Sequence, residues 1–189
     1  MPMIRETIVS TISASGQVHF APIGIIAEGD GWIIAPFHPS TTLGNLRSVP
    51  YAAASFTDDV RVFAGCLTGR SQWPTVPCDE IPVPRLARSL AHAELAVTHV
   101  GEDDQRPRFH CRVLRKATHE PFQGFNRAQA AVIEAAILVS RLQLLPRERI
   151  ERELAYLQNA VEKTASSAEE EAWSWLLQAI NTFYAKAKD

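Results

Sequence analysis

Apolar positions come in short, β-rich blocks over the first two thirds of the chain and change to helical spacing in the last third. Residues Ile4 to Ser13 and Gln17 to Glu28 are rich in Val, Ile, Thr and Phe and flank a short turn containing Gly16, a pattern that predicts an antiparallel hairpin. Gly29-Asp30-Gly31 turns the chain into a third strand, Trp32 to Phe37, and Tyr51 to Thr57 gives a fourth. Ala91 to Val100 and Arg108 to Thr118 supply two more, joined by a charged tip from Gly101 to Pro107. A small helix is predicted at about residues 41–48 and another at 58–67, where Val62 and Cys66 stand four apart. Between Gly69 and Pro84 the chain carries four prolines and Trp73, the composition of an irregular loop that could lid a pocket. Six strands suffice for a six-stranded antiparallel barrel.

The tail has a different period. Asn126 is placed to cap a helix with Gln129 three residues on, and Ala128 to Leu145 is apolar almost all round apart from Glu134, Ser140, Arg141 and Gln143. Such a helix buries more than one side. Pro146 suits the first turn of a second helix carrying Ile150, Leu154, Leu157 and Val161 on one face. Ser166 with Glu169 has the spacing of a capping box, and Trp173, Leu176, Leu177, Ile180, Phe183 and Tyr184 follow as a packing stripe. Glu169-Glu170-Glu171 reads as a solvated first turn favoured by the helix dipole. The expected division is a barrel over residues 1–120 and a helical part over 121–189.

Composition narrows the function classes. An apolar fraction of 46% and a charged fraction of 21% are ordinary for a globular chain, and a formal net charge of −2 gives nucleic acid no basic surface. No secretory leader pattern opens the chain and no apolar run approaches the roughly 20 residues that span a bilayer, so a cytoplasmic location is expected. Cys66, Cys78 and Cys111 are odd in number and lack a C-x-x-C pair, which argues against both a disulfide framework and a structural zinc site and points to buried thiols. The six histidines fall in no ligand spacing, and no metal site is expected from them.

Candidate chemistry concentrates at Ser40, Thr41 and Thr42, three hydroxyls at a helix start directly after Pro39. The first turn of a helix presents N–H groups without intrahelical acceptors, and an anion placed there gains about 0.3–1 kcal/mol. A phosphate fits that place, with Asn45 one turn on and Arg47 or Arg61 as a neutralising cation. The alternative for each hydroxyl is a plain N-cap. His38 adjoins the cluster as a possible hydrogen-bonding neighbour. Upstream, Pro22 interrupts the donors of the second strand, and Gly24 permits close approach; an edge-strand proline and a bulge glycine without a ligand are the competing reading.

Several of these residues also carry a family resemblance. Val9-Ser10-Thr11, Ala14-Ser15-Gly16, His19-Phe20-Ala21-Pro22 and Thr41-Thr42-Leu43-Gly44-Asn45-Leu46 resemble the signature segments of flavin-reductase-like members of the FMN-binding split-barrel superfamily. Glu6 to Thr11, Ala21 to Gly24, Ser40 to Leu46, Thr57-Asp58-Asp59 and Asn126-Arg127-Ala128 are closer still to a subfamily of uncharacterised FMN-binding split-barrel proteins. The match is dense from Glu6 to Asp59 and extends to about Leu145. It departs at Ser40-Thr41, where flavin reductases usually have Lys-Asp, so the lysine's role at the phosphate falls to another group.

The resemblance implies a mainly β protein with α, a six-stranded antiparallel split β-barrel followed by a C-terminal helical segment, with FMN as cofactor. It assigns Ser10, Thr11, Ala21, Pro22, Ile23, Gly24, Phe37, Ser40, Thr41, Thr42, Asn45 and Asp58 to the flavin. It also implies a homodimer with the flavin at the interface, Arg127 and the Trp73 loop being candidates to complete the pocket from the second subunit. Two functions follow: a flavin-dependent oxidoreductase or flavin reductase, in which the cofactor does the redox chemistry, or a non-catalytic FMN-binding module with the helices as partner surface. A flavin-free interaction scaffold is the third option. No Walker, G-x-G-x-x-G or G-x-S-x-G sequence points elsewhere.

Overall fold

The β-rich blocks pair as their spacing suggests. In the computed structural model, which describes residues 2–186, β1 (Ile4–Ile12) and β2 (Val18–Glu28) form the opening hairpin, in register from Ile4 opposite Ile26 to Ile12 opposite Val18. Gly16 turns the chain at φ 82°. β3 (Gly31–Ile34), α1 (Thr41–Ser48), β4 (Tyr51–Phe56) and α2 (Val60–Leu67) follow. Then come the two-residue strands β5 (Thr75–Val76) and β6 (Arg85–Leu86), the long strands β7 (Ala91–Gly101) and β8 (Arg108–Thr118), and helices α3 (Arg127–Val139), α4 (Arg147–Thr164) and α5 (Ser167–Lys186).

Six strands close an antiparallel barrel in the order β1-β2-β3-β8-β7-β4, the fold expected from the sequence. Along β2 the closure is partial, since β3 pairs only with residues 26–28 and leaves the rest of that edge without a strand. Val9, Ile25, Ile34, Ala52, Ala54, Ala93, Leu95 and Phe109 fill the barrel, and Leu43 and Leu46 of α1 plug it. Strand alternation then turns Ser10, Ala53, Ser55, His92 and Glu94 outward. These outward residues are buried as well, because the segment between β5 and β7 lies over them and supplies Ile81 and Val83 to a second small core with Ala53. The proline-rich loop is therefore a fixed strap. Its chain is tied down by Ser10 Oγ donating to the Pro84 carbonyl at 2.6 Å, the Leu86 N–H donating to Ser55 Oγ at 3.2 Å, and the Asp79 and Glu80 N–H groups donating to Glu94 at 3.1 and 2.7 Å.

The chain divides into two units. One comprises residues up to 57 together with 72–122, the barrel and its strap; the other comprises 58–71 together with the chain from 123 onward. Helix α2, which lies within the first 120 residues, thus packs with the tail helices. In that helical unit Val60 and Ala64 meet Ala128, Ala131, Val132, Ala135 and Ala136 of α3 and Ala172, Trp173 and Leu176 of α5. The run of alanines in α3 is what lets three helices approach it closely. Among the described residues no helix is long and apolar enough to cross a membrane.

Several local expectations change. β3 ends at Ile34 rather than continuing to Phe37, because Pro36 has no N–H to give a ladder and the Ala35 carbonyl is taken by Arg106. Asn126 caps α3 through the Ala128 N–H at 2.8 Å, but Gln129 does not reach back; its amide donates to Glu169 at 3.3 Å. Glu169 is buried, not solvated. It closes the expected box by accepting from the Ser166 N–H at 2.8 Å and hydroxyl at 2.5 Å, which leaves Glu170 and Glu171 as the exposed pair.

Candidate functional site

The start of α1 is held from below by the barrel and from the side by the β7–β8 tip. Asp103 Oδ1 accepts from the N–H groups of Gln105 and Arg106 at 2.9 and 2.7 Å, which folds the tip and holds that carboxyl below the usual range. The Gln105 carbonyl accepts the His38 N–H at 2.8 Å, and Arg106 donates from Nε and Nη2 to the Ala35 carbonyl at 3.2 and 2.9 Å while its guanidinium lies 4.4 Å over the Phe37 ring. A seven-residue tip that reads only as charged in sequence therefore fixes the loop leading into Ser40. Arg106 is the residue that sequence reasoning missed. Its position 66 residues after Ser40 carries no local signal, and only the pairing of β3 with β8 brings the two segments together.

Ser40 caps α1, its hydroxyl oxygen accepting the Leu43 N–H at 3.3 Å, and the Ser40 carbonyl takes the Gly44 N–H. The N–H groups of Thr41 and Thr42, one step inside the cap, have no acceptor within the helix. Thr41 is exposed. Thr42 is only 2% exposed, and its hydroxyl enters no hydrogen bond with the described residues. Asn45, one turn on, is buried and donates from Nδ2 to Thr11 Oγ1 at 3.0 Å. One hydroxyl of the three is thus a cap, and the other two remain available at a helix start.

The remaining expected residues separate into three groups. Thr11, Asn45 and Thr42 lie together where α1 packs on β1 and β2. Ala21, Pro22, Ile23 and Gly24 are half-buried on the stretch of β2 that has β1 on one edge and no strand on the other. Pro22 stands opposite Ile8 without a bulge, and the space beside Gly24 is taken by the neighbouring strand: a Cβ there would lie 2.8 Å from Ile4 Cγ2 and 3.0 Å from Glu6 Oε1. Ser10 faces the strap, its hydroxyl committed to Pro84 and, at 3.3 Å, Ala53. Phe37 is 63% exposed. Asp58 belongs to the helical unit, next to Asp59, which caps α2.

Neither expected cation is uncommitted. Arg47 forms an exposed ion pair with Glu102 at 2.8 Å, and Arg61 is held by Asp59 at 2.7 Å and Glu171 at 3.6 Å within the helical unit. The Asp59 hydrogen bonds, ahead of all other causes, push the Arg61 guanidinium up. His19, on the open stretch of β2, is kept below its ordinary value by burial and so favours its neutral form.

Comparison with known proteins gives a consistent picture of the fold. Residues 5–120 match the family model described as the N-terminal domain of a protein of unknown function, DUF447, and residues 126–178 match the second DUF447 model. Among solved structures, the fold is similar to an FMN-bound DUF447 protein from Methanosarcina mazei, at 22% identity and TM-score 0.82 over 95% of this chain and 96% of that one. It is also similar to 2-nitrobenzoate 2-nitroreductase from Pseudomonas fluorescens, at 17% identity and TM-score 0.53 over 63% of this chain and 66% of that one. The styrene monooxygenase flavin reductase of Pseudomonas putida S12 gives 16% identity and TM-score 0.53 over 63% and 83%. No curated protein matches the sequence.

Proposed function

This chain belongs to the DUF447 family, and on that premise we propose that it binds FMN and acts as a flavin-dependent oxidoreductase or flavin reductase. The observation that carries the reading is Thr42: on a residue only 2% exposed, its hydroxyl has no hydrogen-bond partner among the described residues, and the helix-start N–H groups of Thr41 and Thr42 beside it have no acceptor within the helix. That donor set suits an anion, and a terminal phosphate is the part of FMN that a helix start accommodates. The open stretch of β2 suits the other end of the cofactor, since an unpaired strand edge offers alternating N–H and carbonyl groups to the pyrimidine edge of the ring.

In this reading Ser40, Thr41 and Thr42 donate hydroxyl hydrogens to the phosphate, and Asn45 gives the amide hydrogen that Thr11 does not use. Thr11 positions Asn45, and Ser10 supports the same strand from behind through the strap. Ala21, Pro22 and Ile23 line the ring, while exposed Phe37, steadied by Arg106, adds apolar surface. Arg106 takes the place of the lysine that flavin reductases carry and this chain lacks. Bound FMN supplies hydride or electron transfer, so the protein needs no nucleophile of its own. A second copy of the chain completes the pocket as a homodimer; the exposure of Phe37 supports that arrangement.

Anaerobic addition of NADH or NADPH to the FMN-loaded protein, followed at the flavin band, tests the catalytic half of the proposal. Bleaching supports a reductase. An inert spectrum with both nucleotides removes it and leaves the non-catalytic module, a reading favoured by Leu144 and Tyr156, which stand 80% and 82% exposed on the helical unit.

A further inference from the structure

A second polar centre lies under the strap, independent of the α1 corner. His92 and Glu94 project from the outer face of β7 and are 3% and 0% exposed; Cys78, on the strap above them, is half-buried. One ligand atom of each lies within 4.8 Å of the other two. Donor atoms on a tetrahedral ion with bonds of 2.0–2.3 Å stand about 3.3–3.8 Å apart, so closing on an ion asks little of β7 and a modest inward shift of the strap. His92 Nε2 is already 3.2 Å from Glu94 Oε1.

The ring partner of His92 and the guanidinium of Arg115, which pairs with Asp79 at 2.9 Å and stands 4.0 Å from Glu94 Oε1, border these three groups. His92 Nδ1 is 2.9 Å from His119 Nε2, the rings stacked with centroids 5.0 Å apart. If His92 donates Nδ1–H to His119, the lone pair of His92 Nε2 faces a carboxylate oxygen, an arrangement that calls for a cation between them and that matches the hydrogen-bonded outer partner of a metal-bound histidine. The Asp79 and Glu80 N–H groups, donating to Glu94 at 3.1 and 2.7 Å, hold its carboxylate in place.

We propose that Cys78, His92 and Glu94 bind one divalent transition-metal ion of the zinc type, through Cys78 Sγ, His92 Nε2 and a Glu94 carboxylate oxygen, with water in the fourth position. Binding releases the thiol proton to solvent, and His119 positions the His92 ring. A thiolate with imidazole and carboxylate selects zinc or cobalt over magnesium or calcium. The ion would clip the strap to β7.

The test uses the full-length, untagged protein, stripped of metal and titrated with Co2+ and then Zn2+. The expected result is one equivalent of cobalt with a thiolate-to-metal charge-transfer band, displaced by zinc, the band being absent from C78S. H119Q, which keeps all three ligands, is expected to bind about 10- to 100-fold more weakly. Zinc should also slow alkylation of Cys78 in the wild-type protein, a readout that does not depend on any variant folding. Failure to retain metal after dialysis, a cobalt spectrum unchanged in C78S, or alkylation of Cys78 at the same rate with and without zinc overturns the proposal and leaves a hydrogen-bonded cluster in which His92 Nε2–H donates to Glu94.

Discussion

Asn45 Nδ2 donates to Thr11 Oγ1 at 3.0 Å, with both side chains buried, so the helix that carries the hydroxyl corner is locked to the first barrel strand by a single polar contact. Truncating Asn45 to Ala leaves the Thr11 hydroxyl without its donor and is expected to destabilise the protein by about 1–3 kcal/mol, read as a lower urea midpoint with an unchanged slope. A double cycle with T11V should show coupling of at least about 0.5 kcal/mol. Coupling near zero would mean that Leu43 and Leu46 dock α1 without help.

Because Asn45 has this structural duty, Thr42 is the cleaner probe of the phosphate. T42A removes a hydroxyl with no partner among the described residues and is expected to lower FMN affinity about 10- to 100-fold while leaving riboflavin affinity unchanged. Fluorescence titration with both ligands checks it. Equal losses for the two would place Thr42 at the ring or in the core instead.

Arg106 ties the loop after β3 through two bonds to one carbonyl and a stacking contact, a geometry that lysine does not reproduce. Both R106A and R106K are expected to weaken FMN binding and to speed hydrogen exchange at the His38 amide, which the same tip protects. Full rescue by lysine would show that charge alone matters there.

Acid stability should depend on Glu169. Burial pushes this carboxyl up, but the Ser166 hydroxyl and N–H and the Gln129 amide outweigh it, and the net shift is downward. A depressed folded value means the contribution is fully present above the unfolded value of about 4.3 and is lost as pH falls through the folded value. E169Q should therefore lower the melting temperature at pH 7 and narrow its gap to wild type as pH falls below about 4. A gap that stays constant with pH would contradict the assignment.

The barrel was legible because its strands announce themselves by β-branched runs and turn residues, and the Ile4–Ile26 hairpin register follows from a short turn at Gly16. The helical tail was legible from spacing, down to the Ser166–Glu169 box. What sequence could not show are relations set by long-range pairing. Ser10 looks like a ligand residue, yet a strap 74 residues away takes its hydroxyl. Gly24 reads as room for a ring, yet Ile4 and Glu6 occupy that room. Glu169 sits in an acidic run that reads as solvated, yet Gln129 of another helix reaches it. Cys78, His92 and Glu94 have no ligand spacing and converge only once the strap folds over β7.

The most direct measurement is the visible absorption spectrum of the purified protein, as isolated and after addition of FMN, with the bound flavin extracted and identified. A yellow protein holding one FMN per chain, retained through gel filtration at the mass of a dimer, is the expected result. A colourless protein that takes up no added FMN would contradict the central claim, because the donors at Thr41 and Thr42 would then serve nothing beyond the helix they begin.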